Sequence, residues 1–232
     1  MPTTTLIPSV EQRMRAYMDL SHRVKTLAPR TPLKPAITLS REFGCEAFPV
    51  AEEVVKLAEK KTGESWALID KSLLDEVARN HRVAEEIILS LGDKPRFIDE
   101  MFATFTPRWK GDADYYRLLC EQIVMAATAG NAVIVGLAAA IITQEMKNCF
   151  HFRLIAPHDF KVKSIARRMH VSRQDAELTV LDQQKERDRV IRRVLDADEH
   201  DPLHYHALFN NAKLKNAQIA RLILDHVLGG AG

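Results

Sequence analysis

The stretch that decides the fold is "ITLSREFGCEAFPVAEEVVKLAEKK", residues 37–61. An apolar, β-rich run ends in Ser-Arg-Glu-Phe-Gly, and an amphipathic helix follows at once. Val50, Val54, Leu57 and Ala58 form its apolar stripe. Pro49 sits near the first turn and Gly63 near the end, where each is favoured. A strand running into a helix through a short glycine-containing loop is the unit that holds phosphate. There, backbone N–H groups and a helix N-terminus point at the anion. A complete cradle also needs further glycines and a Gly-Lys pair. This chain has no Gly-Lys anywhere.

Working outward, "WALID" (66–70), "NAVIVG" (131–136), "CFHFRLIAP" (149–157) and "HYHALFNN" (204–211) read as further strands. "NAVIVG" is almost wholly apolar, as expected of a parallel strand covered on both faces. Helices are expected over 71–81, 83–92, 113–130, about 137–146, 158–170, 172–195 and 214–228. A helix starting after Ser9 precedes the Pro-rich linker "APRTPLKP" (28–35). Residues 93–113 are rich in aromatics and prolines and read as a mobile or capping segment. Strands alternating with helices imply a parallel sheet flanked by helices, an α/β fold of three layers. The expected organisation is an N-terminal helix and linker over 1–35 and one α/β domain over 36–232.

Composition narrows the function classes. The 232 residues carry a formal charge of +2 and are 46% hydrophobic, enough for a substantial core. So balanced a charge argues against nucleic acid as a partner. No apolar run reaches the length that spans a bilayer, and the N-terminus lacks the pattern of a secretory signal. Cys45, Cys120 and Cys149 are odd in number and far apart, which argues against a disulfide framework and fits a cytoplasmic protein.

Five pieces, in order, carry a resemblance: "ITLSREFG", "LIDKSLLDEVA", "AVIVGLAA", "FRLIAPHDFKVKSIARR" and "DEHDPLHYHALFNNAKL". Together they resemble the cytidylate kinase-like family over roughly residues 36–228. The resemblance implies a P-loop nucleoside monophosphate kinase fold with a helical lid, here about 161–200. It also implies ATP as donor, Mg2+, and CMP or dCMP as acceptor. Residue by residue, Ser40, Arg41, Glu42, Phe43 and Gly44, with Cys45 following, stand where the family holds the donor phosphates. Asp70, Lys71 and Gly136 fall on the acceptor side. Arg167, Arg168, Arg187 and Arg189 fall in the lid, inside a stretch where Lys and Arg outnumber Asp and Glu.

The departures sit where chemistry would happen. The family's Ser-Gly-Gly is Cys45-Glu46-Ala47 here. The arginine expected after Gly136 is Leu137, and His206 stands for an Asp. A carboxylate at about 4 Å from a phosphate costs about 4 kcal/mol per charge pair at an effective dielectric near 20. Two readings follow: an ATP-dependent kinase of pyrimidine monophosphates, or a catalytically inactive module that binds a nucleotide or a partner. A homodimer built on the N-terminal helix stays open beside an ordinary packed helix. His200, His204 and His206 fit no standard zinc spacing, and no metal ligands are assigned. Trp66, Trp109, Tyr115 and Tyr116 are candidates for base stacking, with core packing as the alternative.

Overall fold

A computed structural model describes residues 10–26, 33–79 and 110–229. The expected helix over 83–92 and the capping segment over 93–109, with Trp109, lie outside the described residues. In chain order the elements are α1 (Val10–Thr26), β1 (Ala36–Arg41), α2 (Ala47–Thr62), β2 (Ala67–Ile69), α3 (Lys71–Arg79), α4 (Lys110–Ala129), β3 (Ala132–Val135), α5 (Ala139–Ile142), β4 (Cys149–Ile155), α6 (His158–Met169), α7 (Arg173–Leu195) and β5 (Ala207–Asn210). The last is α8 (Asn216–Gly229).

The five strands form one sheet in the order β2-β3-β1-β4-β5, and every pairing is parallel. β1 is central because its residues 36–39 alternate between two fully covered faces. Ala36 pairs with Ala132 on one side and Cys149 on the other. One core layer packs Ile37, Leu39, Val133 and Phe152 under α2 and α8. The opposite layer packs Ala36, Ile134 and Ile69 under α1, α4 and α5. Burial of these side chains contributes about 1.5–3 kcal/mol for each large aliphatic residue.

Several boundaries differ from expectation. The run over 137–146 supplies only a four-residue helix, after which the Gln144 and Met146 N–H groups bond just three residues back, to the Ile141 and Thr143 carbonyls, and the chain continues in turns. The last strand is shorter than 204–211, because Pro202–His204 form a single 3-10 turn capped by Asp201. α4 starts earlier than expected, at Lys110. Among the described residues, no helix is long and apolar enough to cross a membrane.

Candidate functional site

β1 and β3 end beside each other at the carboxyl edge of the sheet, where the chain moves from one side of β1 to the other. Open parallel sheets bind ligands at such a crossing. Ser40 is buried in β1. Arg41 follows, its guanidinium lying directly on Gly136. A Cβ at Gly136 would fall 1.6 Å from an Arg41 Nη atom. Gly136, Leu137 and Ala138 all have positive φ, at 71°, 61° and 53°. That left-handed turn costs of order 1–3 kcal/mol for each non-glycine residue. It turns Leu137, rather than the family's arginine, toward a cavity of about 320 Å³.

That cavity is lined by Arg41, Lys71, Tyr116, Gln183, Glu186, Arg187 and Glu199, with Leu137 and apolar side chains of α4, α5 and α7 closing the walls. Burial, then the neighbouring Arg187, lowers the Arg41 pKa to about 10, partly offset by Glu199. Arg187 is lowered by burial first as well. Both stay charged at neutral pH. Arg187 donates to the Arg41 carbonyl at 2.9 Å and lies over the Phe43 ring at 5.6 Å, which ties α7 to the end of β1.

Sequence reasoning missed Arg153 and Glu199. Arg153 projects from β4 in register with Ser40 and is 1% exposed. It donates to the Tyr205 hydroxyl at 3.3 Å and to His200 Nδ1 at 3.3 Å, and it lies 3.5 Å from Glu199. Arginine only donates, so His200 accepts at Nδ1 and gives its Nε2 hydrogen to Asp188 at 3.1 Å. The signal was present: an arginine inside the apolar run "FRLIAP" is almost never buried unless partnered. Nothing comparable marked Glu199.

The loop after β1 is occupied by its own protein. The Glu42 N–H donates to the Leu154 carbonyl at 3.0 Å, and that of Cys45 to the Glu42 carbonyl at 3.1 Å. Phe43 N–H donates to Gln184 Oε1 at 2.7 Å, and Glu46 N–H to Asn211 Oδ1 at 2.7 Å. Gly44 has φ 97°, and a Cβ there would come within 2.6 Å of the Lys161 side chain. The carboxylates turn to α6. Glu42 accepts from Lys161 at 2.9 Å, and Glu46 accepts from Arg167. Cys45 is buried, and burial first, then Glu42, pushes its thiol up to about 12, so it is no nucleophile at neutral pH.

The remaining candidates divide. Asp70 does not line the cavity: it accepts from Arg13 of α1 and from the Leu73 N–H at 2.9 Å, so it caps α3 and anchors α1. Its neighbour Lys71 does line it. Of the lid arginines only Arg187 reaches the cavity. Arg168 is exposed on α6, and Arg189, paired with Glu186, lines a second, open hollow between α6 and α7. Trp66 is buried in the core beneath α2, its ring N–H on the Thr62 hydroxyl at 3.3 Å, and offers no stacking face. Tyr116 lines the cavity, whereas the side chain of Tyr115 lies outside the described residues. His206 packs on His151 and accepts from its backbone N–H at 2.9 Å. Among the described residues, no group of three or more His, Cys, Asp or Glu is placed to hold a metal ion.

Residues 36–213 match the model of the cytidylate kinase-like family. The chain belongs to that family. A structural neighbour, described as the crystal structure of an uncharacterized protein from Eubacterium ventriosum ATCC 27560, superposes with a TM-score of 0.65. It is 19% identical and covers 84% of this chain and 99% of its own, a likeness of fold. Among curated proteins no match was found. The residues at 42–46 do not fit ATP with Mg2+: the N–H groups of residues 42, 43, 45 and 46 already have acceptors, and Glu42 and Glu46 already hold Lys161 and Arg167 of α6.

Proposed function

We propose that this family member binds a phosphate monoester of the nucleoside monophosphate class, CMP or dCMP by kinship, in the 320 Å³ cavity. We further propose that it draws little or no phosphoryl group from ATP at residues 42–46. One contrast carries the reading. The acceptor side presents two buried guanidiniums, those of Arg41 and Arg187, to an open cavity. The donor loop spends the N–H groups of residues 42, 43, 45 and 46 on internal acceptors. Glu42 and Glu46 take up Lys161 and Arg167, cations that a donor phosphate would otherwise meet.

The second reading, ATP-dependent transfer to a pyrimidine monophosphate, is favoured by the family and by the basic lid. It requires α6 and α7 to release the loop. Ligand melts separate the two. A hundredfold excess over Kd stabilises by about 2.7 kcal/mol, roughly 5–10 °C in Tm for a chain of this size. CMP or dCMP should produce such a shift, and ATP with Mg2+ should produce almost none. CMP-dependent release of ADP by the purified protein would overturn the non-catalytic reading. The double variant Glu46→Gly, Ala47→Gly should gain a response to ATP, since it removes the carboxylate and restores two glycines.

A further inference from the structure

Arg41 and Arg187 line the cavity, and neither has a carboxylate within ion-pair distance among the described residues. Glu199 lines the same cavity, is 2% exposed, and accepts no hydrogen bond at either carboxylate oxygen. Among the described residues its one ion pair is the 3.5 Å approach of Arg153. Glu199 nevertheless acts electrostatically on both cavity arginines. A gap therefore separates the donors from the acceptor: guanidiniums with N–H groups to give on one side, and a carboxylate able only to accept on the other. Buried polar groups of this kind are expected to be satisfied, and the group that satisfies them has to show acceptors to the arginines and a hydrogen to Glu199.

We propose that Glu199 accepts a hydrogen bond from the bound anion, so that the cavity selects an oxyanion carrying its own proton over a fully ionised one. The inference rests on the phosphate reading above and adds a selectivity to it. Hydrogen phosphate and the monoanion of a phosphate monoester meet both demands. Sulfate has the same shape and offers acceptors alone, so it satisfies the arginines while setting a charged oxygen against a buried carboxylate.

The test is anion binding to the full chain by calorimetry, with sodium phosphate against sodium sulfate at equal ionic strength and pH 7. Leaving a buried carboxylate unsatisfied should make sulfate weaker by at least about tenfold. Glu199→Gln supplies a donor in the same shape, and the two anions should then bind within about threefold of each other. Arg187→Gln should lose both. Methyl phosphate distinguishes the source of the phosphate. A monoester loses its last proton near about pH 6, so it should weaken between pH 6 and pH 8, whereas inorganic phosphate keeps a proton over that range and should not. Equal binding of phosphate and sulfate to the natural protein would overturn the role of Glu199 and leave the cavity reading intact. No binding of either anion, or undiminished binding in Arg187→Gln, would overturn both. The comparison in the natural protein decides without the variants, should Glu199→Gln fold poorly for want of a partner to Arg153.

Discussion

At the scale of the residue, the site is decided by two contacts. The Arg41 guanidinium occupies the space a side chain would take at Gly136. The family's glycine at that position thereby has a local cause beyond its positive φ. Gly136→Ala should push Arg41 off its seat and force alanine into the left-handed region, a cost of about 1–2 kcal/mol from the backbone alone. The expected outcome is a lowered Tm together with at least about tenfold weaker phosphate binding, the loss of one charge-assisted contact. A variant that keeps full affinity would show that Arg41 takes no part in holding the anion. The second contact is Glu46 with Arg167. Arg167 is 71% exposed, so the pair adds little stability. Its consequence is directional, because it holds the Glu46 carboxylate on α6, where it also lies near Ser164 and Asn216.

At the scale of the element, α7 and α1 determine what the sheet edge can do. α7 is capped by Ser172, whose hydroxyl accepts from the Asp175 N–H at 3.1 Å. From there it brings Gln184 to the loop and Arg187 to the cavity. These two contacts hold α7 against the end of β1 and the loop that follows it. α1 is part of the fold. Tyr17 and Leu20 are fully buried in the same cluster as α4, and Arg13 reaches Asp70 and the Leu68 carbonyl. Deleting residues 1–26 would expose those side chains' cavities and strand Asp70. Losing two large core residues costs about 2–5 kcal/mol each. The truncated chain should therefore lose a cooperative thermal transition, checked by differential scanning calorimetry. A truncated chain that melts like the full one would make α1 an appendage.

At the scale of the whole molecule, stability should depend on pH through histidine. His151 is buried between β1 and β5, its Nδ1 on the Thr38 hydroxyl at 2.9 Å and its ring 5.4 Å from His206. His206 in turn lies 5.6 Å from His226. Burial first, then the neighbouring histidines, brings the His151 pKa down to about 4, and His206 is lowered too. The unfolded chain binds these protons at the ordinary histidine value, so it gains protons before the folded one does. The stability held by neutral His151 is thus complete above about pH 6.5 and is lost as pH falls toward about 4, a change of about 3 kcal/mol at most. Denaturant melts between pH 7.5 and pH 4.5 should show this slope, and His151→Gln should flatten it. An unchanged slope in that variant would assign the acid sensitivity elsewhere.

The order of strands and helices was legible from residues 37–61 and the runs that follow. Apolar period and capping chemistry are local properties, and each residue carries them whatever it later touches. The loop's departures were equally legible, since Glu46 and Leu137 are plain substitutions in an ordered pattern. What only the tertiary structure decided is where the charges go. Asp70 read as an acceptor contact and became the anchor of α1, while Arg153 and Glu199, 46 positions apart in the chain, meet in one buried cluster. Which cation a carboxylate pairs with depends on distance in space and on the loss of water around both. Neither quantity is written in the spacing of residues along the chain.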